Sequence, residues 1–463
     1  MNEQRLKTMP IPKLLVQMSV PMIVAMVVNG LYFLTDAVFV GWSVGPDALA
    51  ALASGLPVDM MIVALASMIG IGTASIVSYK LGARKKEETA ATIRTAIVFS
   101  SVLAVVASVV LMLFKTSILT GFGANGRVLE YADSFYTVMM PGYIFVFLSF
   151  LGINSVRAEG NAKLAAAAMF SGAVINVLLN AFFILWLHMG TAGSALGTLI
   201  ARSITVIMLA LYYILGKSNV DIRAPGRRIN ASEIGKIAVF GFGAFTNQVA
   251  FSILAAVMNI LLKQYGTALD MSVYGVISRI QVFITMPFMG LAQGLQPVIG
   301  FNLGAGKLRR VSQAVKISAL YSMAIGAFLS VFLLFWPGGV LSLFTNEKEV
   351  IFKGAQALQI SSIMIPLVGI QILAYFYFMS VHKPVAAILI SLVRQVVFII
   401  PILAIFTAFW GYNGIWTAYP LADFITVAVS VITVYASVRK LMKNCSCHVQ
   451  FPDKADKIPE LEA

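Results

Sequence analysis

The chain has 463 residues, of which 59% are hydrophobic and 11% are charged, and its formal net charge is +14. Soluble domains carry charge on about a quarter of their residues, so this chain has too little polar surface for water and its solvent must be lipid. The excess of Lys and Arg therefore indicates loops at a membrane surface, not nucleic-acid binding. The two cysteines, Cys445 and Cys447, exclude a disulfide framework and make a poor metal site. We expect neither a bound metal nor a cofactor.

Twelve apolar runs are long enough, at about 20 residues each, to cross a bilayer as helices. They are predicted at Leu14–Val40, Leu49–Tyr79, Ile93–Phe114, Val128–Asn154, Leu164–Leu187, Ala192–Leu215, Ile234–Leu262, Met271–Phe301, Val315–Trp336, Ile351–Val381, Val385–Phe409 and Ile415–Val438. Lys and Arg concentrate in the even-numbered loops and at both termini; the fourth loop, for example, is assigned Arg157 and Lys163. This alternation predicts that both ends of the chain are cytoplasmic.

The two halves of the sequence resemble each other. The segment SYKLGARK at 78–85 matches GFNLGAGK at 300–307, and Pro141 and Pro366 lie in the fourth run of each half. Because each half has an even number of runs, the halves share one orientation and should be related by an axis along the membrane normal. We predict an N-terminal six-helix bundle at 1–215, a cytoplasmic linker at 216–232, a C-terminal six-helix bundle at 233–440 and a cytoplasmic tail at 441–463.

Polar residues inside the apolar runs are the candidates for function, since a charge costs about 2.5–3.5 kcal/mol to insert. Asn29, Tyr32 and Asp36 share one face of the first helix by their spacing, and Pro21 permits a bend in that helix. Asp36 is either a carboxylate that exchanges a proton or binds Na⁺, or a structural carboxylate satisfied by neighbouring amides. The amides and hydroxyl that complete this predicted pocket in the first half are Asn176, Asn180 and Thr198.

The other candidates are spread over both halves. Asp59 follows Pro57 in the second run and either shares the pocket or lies near the outer surface. For Arg279 and Arg394 we favour ion pairs that hold helices together, with Asp423 as an available acid, while Arg202 pairs with an acid or with carbonyls. The remaining substrate-cavity candidates are Met258, Gln248, Gln281, Arg279 and Gln371.

Motifs for ATP-driven transport and for catalysis are missing from the sequence. The segment 300–307 has the wrong glycine spacing for a phosphate loop, and neither HExxH nor GxSxG occurs. The histidines His188, His382 and His448 are scattered. Secondary active transport is therefore favoured over a membrane enzyme, and no ring-forming filter segment supports a channel.

Several segments, in their order and spacing, resemble the multidrug and toxic compound extrusion (MATE) family over essentially the whole chain. They are LYFLTDAVFVGW at 31–42, the two LGA loops, RAEGNAK at 157–163, SLVRQVVFIIPIL at 391–403 and TAYPLAD at 417–423. An Asp at this place in the first helix, here Asp36, resembles the pattern of the prokaryotic branch of DNA-damage-inducible-protein-F-like transporters. The resemblance implies an all-α protein of the bacterial or archaeal inner membrane with twelve helices in two pseudo-symmetric bundles. It also implies export of lipophilic, often cationic compounds in exchange for protons or Na⁺, with membrane lipid as the other partner, and we expect a monomer.

The resemblance also assigns residues. The positions that match the family's coupling-ion cluster are Asp36, Asn176, Asn180 and Thr198, and Pro21 matches a proline associated with bending of the first helix. Asn180 departs from the usual Asp; because Na⁺ favours anionic oxygen ligands, this departure favours proton coupling through Asp36. His382 stands where the repeat and the family often place Gly.

The resulting hypothesis is a proton-coupled antiporter that works by alternating access. A sodium-coupled exporter and a flippase for lipid-linked oligosaccharides of the same superfamily are the alternatives. Since Met258 occupies the position equivalent to Asp36, we expect coupling to reside in the first half, with the second half serving mainly as cavity wall.

Overall fold

The structure is a computed structural model that describes residues 2–222 and 230–448; within these ranges it leaves aside the side chains of 2–3, 32–38, 41–43, 46, 268 and 444–448. In this part of the chain, eleven helices are long and apolar enough to cross a membrane, and a bent pair whose members meet at 56° makes a twelfth span. The predicted all-α membrane fold is confirmed. Of the predicted linker, residues 223–229 lie outside the described residues, as do residues 449–463 of the predicted tail.

Six spans form the first bundle. They are α1 (Ile11–Ser43), α2 (Pro46–Gly82), α3 (Lys86–Leu113), α4 (Arg127–Met139 and Tyr143–Ala158, joined by the 3₁₀ turn Met140–Gly142), α5 (Ala162–Asn180, continued by the π-helical turn Ala181–Trp186) and α6 (Gly190–Ile214). Long unbroken helices are expected here, because lipid offers no hydrogen-bond partner and each backbone group must be satisfied inside its own helix. The change to 3₁₀ geometry in α4 falls at Pro141, which has no N–H to donate.

The second bundle repeats this plan. Its spans are α7 (Ala231–Tyr265), α8 (Ala268–Gly304), α9 (Leu308–Phe335), α10 (Lys348–Ser362 and Ile365–Ser380), α11 (Pro384–Leu392, the π-helical turn Val393–Phe398 and Ile399–Trp410) and α12 (Tyr412–His448). Three short helices lie outside the spans, at Asn2–Thr8, Lys115–Gly121 and Pro337–Ser342. Helix α12 continues to His448, so the first residues of the predicted tail are helical.

A constant offset relates the helices of the two bundles. The bounds of α2 and α8 differ by 222 residues (268 − 46 and 304 − 82), and those of α3 and α9 differ by the same amount (308 − 86 and 335 − 113). The turns obey the same offset: Gly160 before α5 has a φ of 85°, and His382 before α11 has a φ of 57°. The sequence repeat is therefore a structural repeat, and equivalent positions can be compared residue by residue.

The bundles meet mainly through α1 against α8 and α2 against α7. We call the side of the molecule that carries the turns 83–85, 159–161, 305–307 and 381–383 the basic end. There the backbones touch: a methyl group on Gly82 would overlap the carbonyl oxygen of Phe301, and one on Gly304 would overlap the carbonyl oxygen of Tyr79. Both pairs are related by the 222-residue offset, so the contact has a pseudo-twofold axis. Glycine is needed because only a residue without Cβ allows this approach.

Polar contacts also join the bundles at the basic end. Lys80 in α2 donates to the Glu233 carboxylate in α7 at 2.9 Å, and Thr92 in α3 donates to the same oxygen at 2.9 Å. On the opposite flank, Arg310 in α9 donates to the carbonyl oxygens of Leu6 at 3.2 Å and Met9 at 2.7 Å. Each bundle therefore binds the N-terminal residues of the other bundle.

Two of the charges predicted to pair inside the second bundle do so. The Nε atom of Arg394 lies 3.7 Å from a carboxylate oxygen of Asp423, which joins α11 to α12. Arg279 is exposed, and it has no acid within 4.0 Å among the side chains that the structure describes. The ion-pair interpretation thus fits Arg394 and not Arg279.

Candidate functional site

A cavity of about 360 Å³ lies between the bundles. All of its described lining residues except Gln248, Met289, Gln293 and Phe376 belong to the first bundle. The lining residues of the first bundle are Met26, Asn29, Met60, Val63, Ser67, Ile71, Phe150, Ile153, Asn154, Arg157, Met169, Gly172, Ala173, Asn176, Thr198, Ala201, Arg202 and Thr205. The second bundle thus contributes to the wall, but most of the described lining residues come from the first bundle.

A chain of hydrogen-bonded side chains backs one wall of the cavity. Asn180 donates from Nδ2 to Oδ1 of Asn176 at 3.1 Å, and Asn176 donates from Nδ2 to Oγ1 of Thr198 at 3.0 Å. Asn176 and Thr198 face the cavity, while Asn180 is fully buried behind them. Gly197 makes room, because a methyl group there would overlap the Asn180 amide oxygen. The three predicted cluster members on α5 and α6 therefore form one network.

The α1 candidates are only partly within the described residues. Asn29 lines the cavity and Pro21 lies inside α1. The side chains of Tyr32 and Asp36 lie outside the described residues, although both residues belong to helix α1. The role of Asp36 stays a prediction.

Arg157 is a site residue that the sequence did not reveal. It lies in the last turn of α4 and is 1% exposed, so its assignment to the fourth loop is corrected. Its guanidinium donates to the side-chain oxygens of Gln293, of Asn154 at 2.5 Å and of Gln296 at 3.0 Å. Gln293 and Gln296 belong to α8, and Gln293 also lines the cavity. Arg157 therefore ties the two bundles together where it borders the cavity.

Arg202 is the second cation at the cavity. It lies on α6, and its guanidinium carbon is 5.8 Å from the centroid of the Phe150 ring. Among the described side chains, neither Arg157 nor Arg202 has an acidic partner within 4.0 Å. The described cavity lining accordingly holds two positive charges and no carboxylate.

The remaining predicted cavity residues have different places. Gln248 lines the cavity, with its amide nitrogen 3.0 Å from the sulfur of Met60. Asp59 lies elsewhere in the first bundle, where it accepts hydrogen bonds from Tyr136 at 2.8 Å and Tyr143 at 3.0 Å. Four further candidates also do not line the cavity: Met258, which is fully buried in the core, Gln281, Arg279 and Gln371.

A buried carboxylate at the basic end was also missed by the sequence interpretation. Glu159, between α4 and α5, accepts hydrogen bonds from Tyr212 at 3.0 Å and Ser218 at 2.7 Å. Burial raises the pKa of the Glu159 carboxyl, against the opposing effect of these hydrogen bonds. The RAEGNAK segment, which resembles the family, drew attention to this region. A charged residue beside a loop glycine is also typical of an exposed turn, so the segment did not predict that Glu159 is buried.

No group of three or more His, Cys, Asp or Glu residues that could hold a metal ion occurs in residues 2–222 and 230–448. Two six-helix bundles around a central cavity are the architecture of a multi-pass membrane transporter.

The chain belongs to the MatE family, whose sequence model matches residues 21–182 and again residues 244–405. The chain is also similar to the multidrug export protein MepA of Staphylococcus haemolyticus (strain JCSC1435), with 23% identity over 93% of this chain and 94% of that protein. MepA of Staphylococcus aureus (strain MRSA252) is 23% identical over 92% and 94%.

Solved structures share the fold. One, described as the outward-facing conformation of a multidrug resistance MATE family transporter of the MOP superfamily, has a TM-score of 0.91 and 24% identity, and covers 95% of this chain and 98% of its own. Another, of MATE in the bent conformation, has a TM-score of 0.90 and 24% identity, and covers 96% and 99%. The two-bundle architecture is therefore that of solved MATE transporters.

Proposed function

We propose that this chain exports lipophilic drugs and toxic compounds by secondary active transport, coupled to protons through Asp36. The observation that carries the proposal is the central cavity with its Met and Phe walls. Its volume of about 360 Å³ is in the range of sites for drug-sized molecules. Thioether side chains repack readily around different ligands. The multidrug export proteins to which the chain is similar support the same substrate range.

The charge pattern supports an orientation with the basic end in the cytoplasm. The contacts of Gly82, Gly304, Lys80 and Arg310 then close the cavity on the cytoplasmic side. Loading from the cytoplasm requires these contacts to separate, and release requires them to form again. Alternating access is thus a rocking of one bundle against the other about the cavity.

The amide network favours protons over Na⁺ as the coupling ion. Asn176, Asn180 and Thr198 bring neutral oxygens to the first bundle, and Na⁺ would gain from a second anionic oxygen that Asn180 lacks. A single carboxylate at Asp36 can still carry one proton. A tenfold uphill gradient of a neutral compound costs about 1.4 kcal/mol, and one charge that crosses 100 mV supplies about 2.3 kcal/mol. One proton per cycle is therefore sufficient, unless it exchanges for a monovalent cation, in which case only the pH difference drives export.

The test is dye export from proteoliposomes that carry wild-type protein or Asp36→Asn. We expect a pH gradient to drive export by the wild type and Asp36→Asn to abolish it. Asp59→Asn is the matched control, because Asp59 is held by two tyrosines away from the cavity. Undiminished pH-driven export by Asp36→Asn would refute the coupling assignment. Export that follows a Na⁺ gradient and ignores pH would establish the sodium-coupled alternative.

The size of the cavity does not favour the flippase alternative. A lipid-linked oligosaccharide needs a larger basic cavity, whereas this one holds about 360 Å³.

A further inference from the structure

We infer that the cavity selects amphiphiles with an anionic group, which Arg202 contacts and which the fixed charge of Arg157 attracts. The inference deepens the proposed function and rests on it: it names the chemical class of compound that the exporter prefers. It differs from the expectation of mainly cationic compounds, because it starts from the charges that border the cavity.

No acidic side chain among the described residues pairs with Arg157. Its three hydrogen-bond acceptors are the neutral oxygens of Asn154, Gln293 and Gln296, and its Nε has no partner. A buried cation without a counter-ion is unfavourable, and its potential reaches far in a medium of low dielectric constant. An anion that enters the adjacent cavity would be stabilised by this potential.

In the backbone of α1, Asp36 is separated from the residue that approaches the Arg157 network. Gln293, which accepts a hydrogen bond from Arg157, also contacts the sulfur of Met26 at 3.8 Å. Asp36 follows Met26 by ten residues, which is about 15 Å along a helix axis. The backbone position of Asp36 is therefore about three helical turns beyond the Met26 contact.

Arg202 is the group that can contact an anion directly. It is only half-buried, it lines the cavity, and its plane packs near Phe150, which leaves the N–H groups available for a ligand. Phe150 precedes Arg157 on α4 by seven residues, or two helical turns, so Arg202 lies about 10 Å from the level of Arg157. A guanidinium binds a carboxylate through two parallel N–H donors.

The rest of the wall suits the apolar body of the same ligand. The sulfur-containing side chains of Met26, Met60, Met169 and Met289 line the cavity together with Phe376. An aromatic carboxylate or sulfonate would place its rings against this surface and its charge at Arg202. A purely cationic aromatic would find the same rings but would be repelled by both arginines.

The test uses two rhodamine dyes that differ in one group: one has a free benzoate carboxylate, and the other is its methyl ester. Binding to the purified full-length protein in detergent is measured by fluorescence polarisation at neutral pH. We expect the free acid to bind about tenfold more tightly than the ester. Arg202→Gln should weaken binding of the acid about tenfold and should not weaken binding of the ester, while Arg202→Lys retains part of the preference.

Arg279→Gln is the matched control, because Arg279 is an exposed arginine that does not line the cavity. Arg157→Lys keeps the buried charge and should keep the preference. Equal affinity for the two dyes, no binding of either, or an equal loss in Arg279→Gln would overturn the inference. Full displacement of the acid by short-chain phosphatidylglycerol at the same concentration would also overturn it, since the site would then hold a lipid headgroup.

Transport separates this inference from the proposed function. If proteoliposomes export the ester but binding shows no preference for the acid, the inference fails and the exporter stands. If the acid is preferred in binding but neither dye is exported, the inference stands and the proposed function fails.

Discussion

Where the first bundle has the chain Asn180–Asn176–Thr198, the second has Ile402, Phe398 and Pro420 at the positions 222 residues further on. The two cavity arginines also have apolar equivalents in the second bundle: Met379 corresponds to Arg157, and Phe424 corresponds to Arg202. Even the buried carboxylate Glu159 has an apolar equivalent, Val381. The backbone plan is common to both halves, whereas these polar side chains occur in only one. This difference agrees with the proposal that coupling resides in the first bundle.

The contacts between the bundles at the basic end also differ in their polar side chains, although both flanks keep polar contacts. The first bundle holds α7 through an ion pair, Lys80 with Glu233. At the position equivalent to Lys80 the second bundle has Asn302, which donates to the carbonyl oxygen of Leu6 at 3.4 Å, beside Arg310. One flank therefore depends on two ionised groups, and the other on cations and amides that bind backbone carbonyls. The glycine contacts between them are symmetric.

The glycine contacts should give the largest effect if the symmetry is real. Gly82→Ala and Gly304→Ala each place a methyl group on a backbone carbonyl oxygen, and we expect each to cost about 3 kcal/mol through overpacking. Gly275→Ala is the control in α8, since no atom lies within 4 Å of its added Cβ. Thermal unfolding of the purified proteins measures the three effects. Equal midpoints for Gly304→Ala and Gly275→Ala would contradict the close contact.

The ion pair on one flank should show a smaller effect. A double-mutant cycle with Lys80→Met and Glu233→Gln should give a coupling energy of about 1–2 kcal/mol, because both side chains are largely buried and hydrogen-bonded. High salt should change this coupling little, because largely buried pairs are only weakly screened. Lys236→Met is the control, since its ammonium is exposed although it lies 3.1 Å from the other oxygen of Glu233. A coupling energy of zero would show that this flank does not depend on the pair.

Glu159 should give the first bundle a pH dependence that its equivalent Val381 cannot give the second. Because burial raises the pKa of the Glu159 carboxyl, the unfolded chain releases that proton at lower pH than the folded protein does. The stability that this group contributes is therefore present below about pH 4.3 and is lost as pH rises through the raised pKa. We expect Glu159→Gln to remove this dependence in unfolding midpoints. Glu159→Val, which copies the second bundle, should cost about 1–3 kcal/mol because Tyr212 and Ser218 lose their acceptor. A pH profile unchanged in Glu159→Gln would exclude this carboxyl as its source.

The spans and the repeat could be predicted from the sequence, because apolar length and loop charge are local properties. The network of Asn176, Asn180 and Thr198 was also within reach, since helical spacing places the two amides on one face. The burial of Arg157 could not be predicted from the sequence, because it depends on α8, whose Gln293 is 136 residues away. Asp59 shows the same limit: its partners Tyr136 and Tyr143 come from a helix 77 and 84 residues further on.

His382 provides the smallest expected effect and the sharpest comparison of equivalent backbones. It has a φ of 57° where Gly160 has 85°, and a left-handed conformation costs a residue with Cβ about 1–2 kcal/mol. Its ring stacks on Phe240 at 4.6 Å, and its Nε2 lies 3.3 Å from the carbonyl oxygen of Ser75, so it fills the seam between α2 and α7. Ring stacking contributes about 0.5–1.5 kcal/mol. The two terms should nearly cancel in His382→Gly, whereas Gly160→Ala should cost about 1 kcal/mol.

Protonation separates the two terms for His382. Burial lowers the pKa of the His382 imidazole, and the nearby Lys80 ammonium acts in the same direction. The unfolded chain therefore takes up this proton first, so the stability of the folded protein should fall as pH drops below about 6.5. Unfolding midpoints of wild type and His382→Gly, compared on both sides of that pH, should agree above it and diverge below it. Parallel profiles would mean that the pKa of His382 is the same in the folded and unfolded states, and the role of His382 would then reduce to filling the seam between α2 and α7.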